Sequence, residues 1–250
     1  FAYTIPLATL ISFNSFGAGT YTAVFYAFVI LPVLDVLLGK NSNNLTESKR
    51  KEKKLSKIFD WMLYINLPIV YILMVYGFNK VSTIDYSLAE KIGIYLSGGI
   101  LLATNGINVA HELCHRRKYY EKFIGKALFL PCLYMHFYIE HNFGHHVNVG
   151  TPKDGATAKY KQNVYSFWIT SVSKQYIDAW KMQLRLLKAR KHNFVSTKND
   201  MLWYHIFQPT YLLMVLIFFS ANAFWFALVC GIVSFLFLEC INSVSYTHLT

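Results

Sequence analysis

The sequence predicts an all-α fold: a polytopic transmembrane helix bundle with histidine boxes on its cytosolic side. Three observations predict it. Apolar stretches near 20 residues long recur at about 18–38, 59–79, 92–110, 202–220 and 222–241, and a helix of about 20 apolar residues crosses a hydrocarbon core of roughly 30 Å. Charged residues are only 15% of the chain and hydrophobic ones 54%, with a mean hydropathy of +0.32, whereas a soluble domain is about 25% charged. Finally, the cations segregate. Of the 24 Lys and Arg residues, only Lys80 and Lys91 fall in the loop between 59–79 and 92–110.

In chain order, 1–13 is apolar but short, and 18–38 follows it as a full span. The run from Lys40 to Lys57 is polar and basic and serves as a linker. Stretches 59–79 and 92–110 cross once each, and the excess of cations on one side places 40–57 and 111–200 in the cytosol. Stretch 124–139 is short and carries Lys126, which fits an interfacial or re-entrant helix. The last two spans turn near Ser220-Ala221-Asn222 and return Asn242 to the cytosolic side. In that topology the Asn44-Leu45-Thr46 sequon never meets the glycosylation machinery.

Composition also excludes some classes. The net charge is +11, but apolar segments separate the basic blocks, so the partner is an anionic membrane surface and not nucleic acid. Cys114, Cys132, Cys230 and Cys240 form no C-x-x-C pair and are small buried hydrophobes in a reducing compartment. The chain opens at Phe1 inside an apolar stretch without a charged leader, as a fragment would.

Nine histidines are the most informative feature. Five lie in two boxes, His111-Glu112-Leu113-Cys114-His115 and Glu140-His141-Asn142-Phe143-Gly144-His145-His146, each after an apolar stretch on the same face. In an α-helix His111 and His115 stand one above the other and can hold one metal. His141 and His145 repeat the spacing, and His146 lies about 100° further round, placed for a second metal or another side of the first. Five imidazoles favour iron, zinc or copper over magnesium or calcium. His136, His192 and His205 stand apart and are structural or interfacial. Alone, the first box is also the H-E-x-x-H pattern of zinc peptidases, with Glu112 as general base. The second box brings more imidazoles than a catalytic zinc needs. A non-enzymatic metal transporter would want polar residues within its spans, and these carry few.

His111-Glu112-Leu113-Cys114-His115 followed by Arg116-Arg117 resembles the first histidine box of the membrane alkane 1-monooxygenases. The run from His136 to His146 resembles the second, and Thr151-Pro152-x-Asp154, Val164-Tyr165-x-Phe167 and Leu34-Asp35 extend the likeness along nearly the whole chain. The resemblance implies a bundle of six-helix type with two non-haem irons at the cytosolic ends of its helices, O2 as co-substrate, terminal hydroxylation of an alkane entering from the bilayer, and electrons from rubredoxin and its reductase. Carried over by position, His111, His115, His141, His145 and His146 are iron ligands. Glu112, Glu140 and Asp154 orient imidazoles or stabilise the loop, and Glu239 faces the same side. A related di-iron hydroxylase or desaturase acting on another apolar substrate shares these features.

The pattern departs after Leu238-Glu239-x-x-Asn242. A ligand histidine is expected where Tyr246 stands, with His248 two places off. Residues 1–250 are therefore expected to be one membrane oxygenase domain truncated at both ends, with 243–250 non-native and the ligand set too incomplete for turnover. The basic residues Arg116, Arg117, Lys118 and Lys188 to Lys191 form either a docking face for an acidic electron carrier or a membrane-facing basic rim.

Overall fold

The computed structural model describes residues 3–39, 57–151 and 153–245. The basic run from Lys40 to Lys54, Pro152, Tyr246 and His248 lie outside the described residues. Those described form helices without strands. They are α1 (Thr4–Phe13), α2 (Gly17–Leu38), α3 (Ile58–Thr83), α4 (Leu88–Cys114), α5 (Tyr119–Phe129), α6 (137–148), α7 (Val164–Ala189), α8 (Asp200–Phe218) and α9 (Ala221–Ser245). Five of them, α2, α3, α4, α8 and α9, are long and apolar enough to cross a membrane, and α1 is a shorter apolar helix. The protein is a multi-pass membrane bundle.

Helix α4 is its axis. Its most apolar window is 61% buried inside the protein, against 6% for α2, so α2 offers most of its surface to lipid while α4 is enclosed. The start of α4 is set by a capping box: Ser87 Oγ accepts from Glu90 N, and Glu90 Oε2 accepts from Ser87 N at 2.8 Å. The other oxygen of Glu90 accepts from Gly17 N at 2.8 Å, which fastens α4 to the start of α2. Deeper in the bundle, Ser97 Oγ donates to the Thr20 carbonyl at 2.9 Å, and Asn105 Nδ2 donates to Asn66 Oδ1 on α3 at 2.8 Å. These polar groups inside the spans thus find partners on neighbouring helices, as a low-dielectric interior favours.

Small residues let α9 lie against α4. A Cβ on Gly99 would come within 2.6 Å of Val233 Cβ, and one on Gly98 within 2.6 Å of Cys230 Sγ. Close backbone approach of this kind is how helices associate where lipid removes the hydrophobic drive.

The stretch 124–139 is not one helix. Helix α5 stops at Phe129, a tight turn follows through Pro131, and Leu133 has φ of 54°. Proline cannot donate to a continuing helix, and a left-handed leucine needs surrounding structure to hold it. Gly231 on α9 provides that hold: a Cβ there would meet Leu133 Cδ1 at 2.8 Å. The turn delivers α6, with the second histidine box, to the end of α4.

The basic segment 147–200 has no apolar run of spanning length, yet it contains the 26-residue helix α7. Asn163 caps it through Ser166 N at 2.8 Å. Its buried positions are Phe167, Ser171, Gln175, Ala179, Gln183 and Leu187, a stripe of six residues spaced four apart and laid against α6 and α9.

Gly99→Ala is expected to force α4 and α9 apart, because Val233 is β-branched and stiff at χ1. The cost is that of overpacking, about 1–3 kcal/mol, read as a lowered midpoint of thermal unfolding in detergent.

Candidate metal centre

Helix α4 continues past the apolar stretch without a break, through a π-helical segment Leu102–Asn108, and ends at Cys114. The first box is therefore its last turn. The second box departs from the α-helical expectation, because His141–His145 is a π-helical turn. A turn closed by i→i+5 bonds leaves residue i+4 short of a full revolution. His141 and His145 accordingly lie with parallel rings 5.2 Å apart but serve different partners.

Three imidazoles converge. His111 Nε2 is 2.6 Å from His141 Nε2 and 3.1 Å from His115 Nε2, and His141 Nε2 is 3.2 Å from His115 Nε2. Neutral ring nitrogens are either donors or acceptors, so among three that meet pairwise at least one pair brings like groups together. A cation removes that conflict. At a metal–nitrogen bond of about 2.0–2.1 Å, cis nitrogens on one ion lie roughly 3 Å apart, close to two of the three separations. These three atoms form a group that can hold one metal ion.

His141 is held neutral: burial first, and then the surrounding imidazoles, push its pKa down to about 2. Its lone pair is therefore available to a metal at neutral pH. The ring of the exposed His146 lies 4.5 Å from that of His141 and 4.9 Å from that of His115. It stands beside the trio and outside it. His145 directs Nδ1 to Asp154 Oδ2 at 2.9 Å. With the carboxylate accepting at Nδ1, the lone pair is on Nε2, the arrangement by which carboxylates orient metal-binding imidazoles. Asp154 also accepts from Thr157 Oγ1 at 2.6 Å and Ala156 N at 3.0 Å. Burial alone would raise its pKa, but these bonds, led by that of His145, hold it below the usual carboxylate range.

The other two acidic candidates of the boxes differ from Asp154. Glu112 is exposed and accepts from Arg116, whose guanidinium also meets Asp60 Oδ1 at 3.1 Å. An i,i+4 cation competes better for a carboxylate than a neutral imidazole does. Glu140 is buried, and its Oε2 has no hydrogen-bond partner among the described residues. Burial, then the carboxylates of Asp154, Glu239 and Asp178, push its pKa up to about 8. The orphaned oxygen belongs to the residue that precedes His141, and a buried carboxylate left without a partner calls for a positive charge or a donor.

Glu239 is fully buried away from the trio. It accepts from Ser171 Oγ at 2.7 Å and from Tyr134 Oη and Gln175 Nε2, each at 2.9 Å. These three partners, with Asp60, were not readable as functional residues. Ser171 and Gln175 leave a trace only as polar members of the buried stripe on α7. Of the isolated histidines, His205 receives the Tyr176 hydroxyl at 2.6 Å, while His192 is exposed. His136 is buried, and its Nε2 has no partner among the described residues.

Burial pushes the His136 pKa from 6.5 down to about 3. The folded protein keeps this imidazole neutral where an unfolded chain protonates it. Its contribution is therefore complete above about pH 6.5 and is lost as pH falls toward 3, by roughly 1.4 kcal/mol per unit. Thermal unfolding of the detergent-solubilised protein is expected to lose stability over that window, with a shallower dependence in His136→Gln.

The sequence pattern of the fatty acid desaturase family matches residues 91–249, which include both boxes. Alkane 1-monooxygenase 2 of Alcanivorax borkumensis is 30% identical over 249 residues, covering 94% of this chain and 65% of that protein. An alkane 1-monooxygenase of Acinetobacter baylyi is 32% identical over 176 residues, covering 70% of this chain and 42% of that protein. The xylene/toluene monooxygenase hydroxylase component XylM of Pseudomonas putida is 30% identical over 201 residues, covering 75% and 50%. The chain thus spans about half to two thirds of the length of these relatives. With more than half of its length matched to the family pattern and its histidine boxes joined at one end of a membrane bundle, the chain belongs to the fatty acid desaturase family, in which it is similar to alkane 1-monooxygenases.

Proposed function

We propose that residues 1–250 are part of one integral-membrane oxygenase domain that hydroxylates the terminal carbon of alkanes with O2 at a histidine-bound di-iron centre. The observation that carries this reading is the convergence of His111, His115 and His141 at the end of α4. Those three imidazoles would hold one iron, and His145 and His146 would contribute toward the second, with Asp154 orienting His145. Two irons, when bound, supply the reduction of O2 and the oxidation of an unactivated C–H bond, chemistry that no side chain performs.

The chain's own residues do the rest. A groove of about 340 Å³ opens between α1, α2, α4 and α9 and is lined by Ile5, Phe28, Ile100, Phe237, Thr104 and Asn108. Asn108 lies one turn before His111. An apolar molecule entering sideways from lipid would be led along α4 toward the first box, with water excluded by the aliphatic walls. The boxes face the cytosol in this reading, since the positive-inside rule places 111–200 there. A rubredoxin-type carrier, served by its reductase, would dock on the exposed cations Arg117, Lys118, Lys188, Arg190 and Lys191. Arg116 belongs to the ion pairs with Glu112 and Asp60 and is not free for docking.

A second substrate class is favoured by one specific observation, the likeness to a xylene/toluene monooxygenase component. Product analysis with alkanes, alkyl aromatics and fatty acyl chains separates the two. The peptidase reading loses support, because the Glu112 carboxylate is engaged by Arg116.

Elemental analysis of the full-length, detergent-purified protein is expected to find about two irons per polypeptide. His141→Ala should lose iron, and Asp154→Asn should bind it roughly 10–100-fold more weakly. A single zinc, or no metal, would sink the proposal. Reversing Arg117 and Lys118 to Glu should slow electron transfer from the carrier and flatten its salt dependence. Unchanged rates would remove the docking face.

A further inference from the structure

A line of aromatic rings leads away from the histidine cluster. Phe137 stacks on His141 with centroids 4.8 Å apart and on Tyr134 at 5.7 Å. Tyr134 meets His136 edge-on at 4.5 Å, His136 meets Tyr176 at 5.5 Å, and Tyr176 meets His205 at 5.6 Å. The line starts at the converging imidazoles and reaches the surface where Tyr176 of α7, 38% exposed, meets His205 of α8.

Ring packing alone explains the contacts. It does not explain the hydroxyls, each of which has a base of its own. Tyr134 is buried and donates to the Glu239 carboxylate, whose other partners Ser171 and Gln175 are also neutral. Tyr176 donates to His205 Nε2 at 2.6 Å. The direction of that bond is set by the other ring nitrogen: His205 Nδ1 lies 2.7 Å from the Met201 carbonyl, which can only accept. Nε2 is therefore the acceptor. A phenol that loses an electron becomes a strong acid, so a tyrosine can pass electrons inside a protein only where a base waits for its proton. Both tyrosines on this line meet that condition.

We propose that Tyr134 and Tyr176 form a relay that drains oxidising equivalents from the histidine site to the surface of α7 when no substrate C–H bond is present. The inference rests on the oxygenase reading above. The oxidant is a one-electron oxidant stronger than a phenoxyl radical, produced at the site from O2. Tyr134 gives it one electron through Phe137, its O–H bond breaks, and the proton passes to Glu239. The neutral phenoxyl at Tyr134 then takes an electron from Tyr176 and recovers its proton from Glu239, while the Tyr176 proton moves to His205 Nε2. A small thiol or ascorbate-class reductant supplies the last electron at the half-exposed Tyr176, and His205 returns the proton.

The test uses the full-length protein loaded with ferrous iron, with iron content and product formation measured first. The protein is reduced, mixed with O2 without substrate, frozen at intervals, and followed by electron paramagnetic resonance with ring-deuterated tyrosine. Wild type is expected to give a transient phenoxyl signal. Tyr134→Phe should abolish it and raise oxidation of Phe137 and His141 several-fold in peptide mass spectra. Tyr176→Phe should hold the radical at Tyr134 and lengthen its lifetime several-fold. Should Tyr134→Phe fail to fold, the exposed Tyr176→Phe decides alone, by whether the radical persists. A wild type that loads iron and hydroxylates substrate without any phenoxyl overturns the relay and leaves the oxygenase reading intact, as does a signal unchanged in both variants. Absence of iron loading and product overturns both together.

Discussion

Three imidazole nitrogens from two segments about 30 residues apart are held within 3.2 Å of one another, and much of this architecture serves to hold them there. Without positive charge between them the arrangement is unfavourable, since at least one pair must set donor against donor or acceptor against acceptor. A bundle can maintain it only if the two boxes arrive on rigid elements. Helix α4 provides one, enclosed on most of its surface and tied to α1, α2 and α3 by buried polar contacts.

The second box has no spanning helix of its own. It arrives on a tight turn after α5, and that turn is fixed from two sides. Leu133 fills the space that Gly231 leaves on α9, and the Tyr134 hydroxyl reaches Glu239 one helix away. Glu239 also gathers Ser171 and Gln175, so the same carboxylate locks α7 against α9. A buried carboxylate is costly unless its lone pairs are occupied. Here the donors that occupy them join three separate parts of the chain, converting that demand into a fixed geometry around the site.

The acidic residues nearest the boxes divide by their surroundings. Asp154 is buried among donors and has an imidazole as a partner; Glu112 is exposed and has an arginine; Glu140 is buried with one oxygen unmatched among the described residues. Proximity in sequence to a histidine does not assign a carboxylate to it. What assigns it is the competition among donors that can reach it, and a guanidinium on the next turn outcompetes a neutral ring.

Hydropathy and charge are local properties, and the sequence by itself determined what depends on them. The five long spans, the short α1, the turn before α9 and the grouping of the histidines at one end could all be read from runs of apolar residues and the placement of lysine and arginine. Resemblance added the family, because the boxes with their flanking residues are specific. Tertiary structure alone decided the rest. Helix α7 escaped a search for apolar runs because its buried stripe includes Ser171, Gln175 and Gln183. The π-helical turn at His141–His145, which separates two histidines that share α-helical spacing, depends on how α6 meets α4 and α7. The partners of Glu239 and the Asp60–Arg116 pair join residues from 56 to 105 positions apart. Such pairings have no local signature, because the free energy that selects them appears only when separate helices exclude lipid and water from the space between them.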